Sequence, residues 1–150
     1  MNPRYALHPD QALSVLLVED DPGDVLIARE ALAAGRLSTD LHVVSDGEDA
    51  MSYLRRGEGY ADAPRPDLIL LDLNLPRKSG HEVLAEVKQD PELRRIPVVV
   101  LTTSQAQEDV ARSYELHASV HVSKPVDFDQ FTEVVRQIDD FFGNIAELPE

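Results

Sequence analysis

Polar side chains that could do chemistry stand at the ends of four short apolar segments of this sequence. They are Glu19 and Asp20, Asp72, Thr102 and Lys124. If the fold brings these ends together, three carboxylates share one site, and two unit charges about 4 Å apart repel by roughly 4 kcal/mol at an effective dielectric near 20. Such a group must take up protons or bind a cation, and oxygen ligands of this kind suit Mg²⁺. The residue types therefore predict a divalent-metal site.

The same residues indicate phosphoryl transfer. The carboxylate of Asp72 is the predicted nucleophile, which would attack phosphorus and form an aspartyl-phosphate. A metal ion and Lys124 would neutralise charge on the equatorial phosphoryl oxygens. The hydroxyl of Thr102 could bond the new phosphoryl group and pull its loop inward. This chemistry describes a switch.

The elements that must position these residues alternate strictly. The predicted strands are Ser14–Glu19, Asp40–Ser45, Asp67–Asp72, Pro97–Thr102 and Ser119–Ser123. The predicted helices are Asp24–Ala34, Glu48–Arg56, His81–Asp90, Gln105–Leu116 and Phe128–Gly143. This alternation predicts an α/β fold, a parallel sheet with helices on both faces.

The composition of the strands orders the sheet. The first, third and fourth are continuous apolar runs, as expected for strands buried on both faces, whereas the second and fifth are mixed or alternating and suit the edges. The expected fold is a doubly wound (βα)5 sandwich, a five-stranded sheet of order 2-1-3-4-5. Ligands of such sheets bind at the carboxyl ends of the strands, where the four polar ends meet.

Local sequence also sets boundaries. Asp21 followed by Pro22 is typical of a helix N-cap with proline in the first turn, so Asp21 is assigned to the helix and not to the site. We expect a flexible N-terminal tail over residues 1–12, one domain over residues 13–143, and a C-terminal extension over residues 144–150 with no output domain.

Composition excludes several classes of function. The chain has 28 acidic and 14 basic residues and a net charge of −14, which opposes binding to nucleic acid. Apolar runs such as Val15–Val18 are far shorter than the roughly 20 residues that span a bilayer. The chain has no cysteine, which excludes disulfides and thiol catalysis. A cytoplasmic protein that binds neither membrane nor nucleic acid is expected.

Over residues 13–143 the sequence resembles the receiver domains of bacterial two-component response regulators. Four motifs carry the resemblance: Val15–Asp20, Asp67–Pro76 with Gly80, Pro97–Thr102 and Val122–Pro125. The resemblance implies that a histidine kinase phosphorylates Asp72. It further implies an Mg²⁺ or Mn²⁺ ion held by Asp20, Asp72, the backbone carbonyl of Asn74 and, through water, Glu19. Thr102 would be the switch hydroxyl and Lys124 the phosphate-binding lysine.

Two positions depart from the pattern of the family, and one of them is Thr103, which follows the switch threonine where relatives usually carry Ala, Gly or Ser. Three residues before the lysine, where relatives usually carry Tyr or Phe, this chain has His121. That places an aromatic rotamer switch in question, although an imidazole could move in a similar way. His121 is therefore a secondary switch position.

A narrower resemblance is to the stand-alone regulators paired with bacterial phytochrome histidine kinases. It rests on three segments, Asn74–Gly80, Leu101–Ser104 and Ser113–His117, and on a long last helix that ends with Phe141, Phe142 and Gly143. The implied partners are a phytochrome kinase and a downstream protein or histidine phosphotransfer protein. Output would pass through the surface of the fourth predicted helix, the fifth strand and the last helix.

The last predicted helix carries two apolar rows. One should face the sheet and consists of Phe128, Phe131, Val135, Ile138 and Phe142. Val134 and Phe141 lie off this row and form either a wider core stripe or, with Arg112 opposite, the face of a homodimer. The acidity of the helix opposes self-association unless basic residues such as Arg112 lie opposite it.

Two other functions remain open at this point. A phosphohydrolase could use the same aspartyl-phosphate chemistry, but it would normally need an aspartate where this chain has Asn74. A receiver-like module could bind partners without phosphorylation, against which the intact set of site residues argues.

Overall fold

The structure is a computed structural model of the 150-residue chain, and it describes residues 12–73, 75–102, 120–123 and 128–147. Several predictions concern residues outside these ranges: Asn74, Arg112, Lys124, the fourth predicted helix and the N-terminal tail. For Thr102 and His121 the structure describes the backbone only.

Strands and helices alternate along the described chain. The strands are β1 (Leu13–Val18), β2 (Thr39–Val44), β3 (Leu68–Asp72), β4 (Val98–Thr102) and β5 (Val120–Ser123). The helices are α1 (Pro22–Ala33), α2 (Gly47–Leu54), α3 (Gly80–Gln89) and the C-terminal helix (Phe128–Glu147). Most boundaries lie within one or two residues of those predicted. The C-terminal helix instead continues past Gly143 and Asn144 to Glu147, two residues before Pro149, so the glycine does not end it.

The five strands form one parallel sheet of order β2-β1-β3-β4-β5, as the strand composition predicted. In the centre of the sheet, Leu17 pairs with Leu70, which in turn pairs with Val99. The mixed strand β2 occupies one edge and β5 the other. The carboxyl ends of β1 and β3 therefore lie side by side.

Alternate side chains of the central strands enter two separate cores. Leu16 and Val18 of β1 pack with α2 and α3 on one face. Val15 and Leu17 pack with α1 and the C-terminal helix on the other. Because helices cover both faces of the sheet, the central strands are held in place. The residues at the ends of these strands are therefore held in place as well.

The C-terminal helix buries most of its predicted row. Phe131, Val135, Ile138 and Phe142 are each at most 6% exposed. The prediction that Phe128 faces the sheet is wrong: Phe128 is 42% exposed. As the first residue of the helix it lies a turn before Phe131, which is the first side chain of the row to enter the core.

The two residues of the predicted dimer face differ in exposure. Val134 is half-buried and packs against the core of α1 and the C-terminal helix. Phe141 is 49% exposed and meets Phe142 edge-on, with ring centroids 4.9 Å apart. Phe141 is thus an exposed apolar side chain, whereas Val134 belongs partly to the core.

A buried carboxylate fastens the C-terminal helix to the turn after α1. Asp139 is 5% exposed and accepts the backbone N–H of Arg36 at 2.8 Å. The guanidinium of Arg36 pairs with Asp140, also at 2.8 Å, although both of these side chains are exposed. A side chain at Gly35 would meet Val135 Cγ1 at 2.8 Å, so the turn requires glycine at this position.

At the amino-terminal edge of the sheet, Asp67 joins β1 to β3. Its N–H donates to the carbonyl of Ser14 at 2.7 Å, and its carboxylate accepts the N–H of Ser14 at 2.9 Å. Burial raises the pKa of the Asp67 carboxyl, against the smaller opposing effects of the Ser14 hydrogen bond and the nearby Arg65 charge. The folded state therefore holds the Asp67 proton more tightly than the unfolded chain does.

We predict that Asp67→Asn raises the free energy of unfolding at neutral pH relative to the wild type. Because the pKa of Asp67 is raised on folding, its favourable contribution is complete below the unfolded value near 4 and is lost as pH rises through the folded value. Asparagine retains the acceptor for Ser14 but does not ionise. Urea unfolding at a series of pH values should show the difference between variant and wild type growing from acid to neutral pH. A difference that does not change with pH would contradict the assignment.

Candidate functional site

Three carboxylates come together at the carboxyl end of β1 and β3. Glu19 and Asp20 follow β1, Asp72 ends β3, and one oxygen of each lies within 4.8 Å of the others. Glu19 and Asp72 are each 1% exposed, whereas Asp20 is exposed. The cluster therefore consists of two buried carboxylates, Glu19 and Asp72, and one carboxylate that is open to solvent, Asp20.

Backbone pairing places the two buried carboxylates. The N–H of Glu19 donates to the carbonyl of Val44 at 3.0 Å, which extends the β1–β2 ladder by one residue. The side chain of Glu19 accepts the N–H of Asp21 at 3.1 Å, which orients it. On the other strand Asp72 is in register with Leu101, whose carbonyl accepts the N–H of Leu73 at 3.0 Å.

The geometry has an electrostatic consequence. If Glu19 and Asp72 are both ionised at a separation of about 4.8 Å, they repel by roughly 3.5 kcal/mol at an effective dielectric near 20. A divalent cation relieves this repulsion, and carboxylate oxygens are the ligands that Mg²⁺ and Mn²⁺ prefer. Asp20 at the solvent edge completes a cluster of three oxygen donors that fits such an ion.

The carboxylate of Asp21 takes no part in this cluster, although the backbone N–H of Asp21 bonds Glu19. Its carboxylate accepts the N–H of Gly23 at 2.8 Å as the N-cap of α1, and Pro22 is the first helical residue. The separation of Asp21 from the site, predicted from the Asp-Pro pair, is confirmed.

The backbone of β4 and β5 brings the predicted switch positions Thr102 and His121 towards the carboxyl end of the sheet, where the carboxylates lie. Thr102 follows Leu101, the register partner of Asp72, and is itself in register with Ser123. His121 pairs with Val100, two residues below Thr102. Thr102 thus lies one residue above Asp72 on the adjacent strand.

The segment from β3 to α3 is held tightly against the end of β3. The N–H of Gly80 donates to the carbonyl of Leu73 at 3.1 Å. A Cβ atom at Gly80 would lie 2.2 Å from the carbonyl oxygen of Asp72 and 2.5 Å from the Cα of Leu73. Only glycine permits this approach, and the same backbone carries the candidate phospho-acceptor.

The same segment is tied to the start of α2. Asp46, the N-cap of α2, lies 3.8 Å from the guanidinium of Arg77, whose backbone has the left-handed φ of 66°. A Cβ atom at Gly47 would lie 2.0 Å from the carbonyl oxygen of Lys78. The segment after Asp72 therefore has a second anchor on α2.

A third anchor reaches the far end of α2. Lys78 pairs with Glu86 of α3, and Glu86 also lies 3.3 Å from Arg55 at the end of α2. Neither ion pair is predictable from sequence, since each joins residues of different segments.

The start of α2 did have a local indication in the sequence. Asp46 stands three residues before Asp49, which is the spacing of an N-cap, and its carboxylate accepts the N–H of Asp49.

Comparison with known proteins agrees with this geometry. Residues 15–136 match the model of the response regulator receiver domain. The chain belongs to the response regulator receiver domain family. It is 45% identical over 135 residues to response regulator Rcp1 of Synechocystis sp., covering 90% of this chain and 92% of Rcp1.

Two solved structures of relatives carry the comparison further. The phosphorylated cyanobacterial phytochrome response regulator RcpA is 46% identical, with a TM-score of 0.81 over 93% of this chain and 100% of that one. The Mn²⁺-bound form of Rcp1 is 44% identical, with a TM-score of 0.79 over 92% of this chain and 99% of that one. The chain is thus a response regulator that resembles those of phytochrome signalling.

The family also settles the general character of the site. Receiver domains bind a divalent metal and act as regulators rather than as enzymes with a separate substrate.

Among the helices in the described ranges, none has the length and apolar character needed to cross a membrane.

We predict that Gly80→Ala destabilises the protein by about 1–3 kcal/mol, because the added methyl meets rigid backbone at the end of β3. Affinity for Mn²⁺, measured from the electron paramagnetic resonance signal of the free ion, should fall as well, since Asp72 is displaced. Gly57→Ala is the matched control, because its Cβ would meet nothing closer than 3.6 Å. Equal stability and equal Mn²⁺ affinity in both variants would contradict the close-approach argument.

Proposed function

We propose that Asp72 accepts a phosphoryl group from a histidine kinase and that Glu19, Asp20 and Asp72 hold the metal ion that this reaction needs. The observation that carries the proposal is the meeting of three carboxylates at the ends of β1 and β3, two of them buried. The phosphorylated state of RcpA and the Mn²⁺-bound state of Rcp1 support both parts by similarity.

In this reaction the chain supplies the nucleophile and its position. A carboxylate oxygen of Asp72 attacks phosphorus, the bond from phosphorus to the donor's histidine nitrogen breaks, and the product is an aspartyl-phosphate. The rigid end of β3 and the close approach of Gly80 hold that oxygen in place. A bound Mg²⁺ or Mn²⁺ ion would offset the negative charge of the carboxylates and of the phosphoryl oxygens. Asp20 would bind the ion directly and Glu19 through water, with the carbonyl of Asn74 as a further ligand.

We propose further roles for Thr102, Lys124 and His121 in the response to phosphorylation. Thr102 would bond the phosphoryl group and Lys124 would neutralise it, so that the surface of the fourth predicted helix, β5 and the C-terminal helix changes on phosphorylation. His121 is the proposed secondary switch. A homodimer formed through Val134, Phe141 and Arg112 stays a prediction, for which the 49% exposure of Phe141 is the supporting observation.

The proposed partners come from the relatives. RcpA is a phytochrome response regulator, and we propose a phytochrome histidine kinase as the donor for this chain. Output would then pass to a downstream protein or to a histidine phosphotransfer protein, in the cytoplasm, where ATP supplies the kinase. An output domain is not part of the proposal.

Asp72→Asn is the direct test of the acceptor. Incubated with acetyl phosphate and Mg²⁺, the wild type should gain the mass of one phosphoryl group, and the variant should not. Chelation of the metal should abolish the gain. Asp21→Asn is the matched control, because asparagine also caps helices and Asp21 lies beside the site without joining it.

Three results would contradict this proposal. Equal labelling of Asp72→Asn and wild type would move the acceptor elsewhere. No labelling of the wild type would favour a module that binds partners without phosphorylation. Sustained turnover of a phosphate ester would instead indicate a phosphohydrolase.

We further predict preferential transfer from a phytochrome kinase. A phytochrome histidine kinase carrying labelled phosphohistidine should pass the label to the wild type and to Asp21→Asn but not to Asp72→Asn. The initial rate should exceed that from a histidine kinase with an unrelated sensor by about tenfold or more, which corresponds to roughly 1.4 kcal/mol of discrimination. Equal rates from the two kinases would contradict the pairing.

A further inference from the structure

Three aromatic side chains meet at the β2 edge of the sheet, outside the carboxylate cluster of Glu19, Asp20 and Asp72. His42 of β2 lies over Tyr53 of α2, with ring centroids 4.5 Å apart. Tyr60, in the segment after α2, meets Tyr53 edge-on at 5.3 Å and His42 edge-on at 6.0 Å. Tyr53 is buried, Tyr60 half-buried and His42 exposed, so the cluster runs from the core to the surface.

These rings form one wall of a cavity of about 400 Å³, here called the aromatic pocket. The other wall is the segment after α2, from Gly59 to Pro64, and it includes the carboxylate of Asp62. Among the residues that the structure describes, no lysine or arginine lines the pocket. Arg56 and Arg65 line a neighbouring cavity, which shares Tyr53 and Pro64 with the aromatic pocket.

The surroundings of the pocket are negative. Burial raises the pKa of the Tyr53 hydroxyl, and the charge of Asp40 raises it further. For Tyr60, burial is again the larger cause of a raised pKa, and Asp49 and Asp46 add to it. Together with Asp62, these carboxylates surround a pocket whose tyrosine rings also attract cations.

The wall after α2 is fixed by its own hydrogen bonds. After α2 and its C-cap Arg55, Arg56 takes the left-handed conformation, at a φ of 54°, and the N–H of Gly57 donates to the carbonyl of Ser52 at 2.8 Å. Arginine is a strained residue at this position, yet its Nε–H donates to the carbonyl of Ala63 at 3.0 Å and holds the segment closed. Tyr60 is thereby presented in one position.

We propose that the aromatic pocket binds a basic side chain, an arginine or a lysine, of a partner protein. The side chain's stem would lie against the rings of Tyr60 and His42, with its cation near Asp62. The tyrosine rings, the carboxylate of Asp62 and a described lining without lysine or arginine favour this occupant over an acidic or purely apolar one. The proposal does not depend on the phosphorylation of Asp72.

The test uses N-acetyl-arginine amide as a probe and the uncharged N-acetyl-citrulline amide as its comparison. Titration followed by NMR should shift the ring resonances of Tyr60 and His42 with the arginine probe only. Tyr60→Leu should weaken binding about fivefold or more, whereas Tyr60→Phe, which keeps the ring, should retain it. Asp62→Asn should also weaken binding.

Glu30→Gln is the matched control for general attraction to an acidic protein, because Glu30 is an exposed carboxylate on α1, away from the pocket. It should leave the affinity unchanged. Equal affinity of Tyr60→Leu and the wild type would overturn the proposal. So would equal binding of the citrulline probe, or shifts confined to residues outside the pocket.

Discussion

The constraint on which the rest of this structure depends is the burial of two carboxylates beside one another. Glu19 and Asp72 are each almost fully buried, within 4.8 Å of one another, at the ends of adjacent strands. Such a pair is unfavourable unless the surrounding backbone holds it and a cation can reach it. The parallel sheet meets the first need, because β1 and β3 are covered on both faces and cannot move apart. The exposed Asp20 meets the second by extending the cluster to solvent.

Holding these carboxylates places strict demands on the segment after Asp72. It must return to the end of β3 where α3 begins, and Gly80 makes this close approach possible because it has no side chain. The same segment contacts the start of α2, where Gly47 leaves space for the backbone of Lys78 and Asp46 pairs with Arg77. A change at Asp72 would therefore act on α2 as well as on the strand beside it. α2 in turn carries Tyr53, which joins the wall of the aromatic pocket to the core.

Sequence was sufficient for the features that depend on local composition. Continuous apolar runs identified the central strands, and Asp-Pro identified the start of α1, because each depends on residues close together in the chain. The site was predictable for the same reason, since polar residues at strand ends converge in any parallel sheet. Phe128 was misassigned because helical spacing does not tell where a helix first meets the sheet. The pair Asp46–Arg77 was not foreseen, since its members belong to segments that only the folded backbone brings together.

The excess of acidic residues has several separate physical roles in this fold. Some carboxylates replace missing backbone partners: Asp21 and Asp46 cap helices, and Asp139 accepts the N–H of Arg36. Glu19 and Asp72 instead place two buried carboxylates close together, and a bound cation would reduce the repulsion between them. The first role stabilises the fold without an ion, whereas the second favours the binding of a cation to the folded state. The stability of this domain should therefore be linked to its metal, since whatever binds the folded state alone stabilises it by mass action. Exposed acidic residues that do not form such a buried pair would not link the stability of the domain to metal binding.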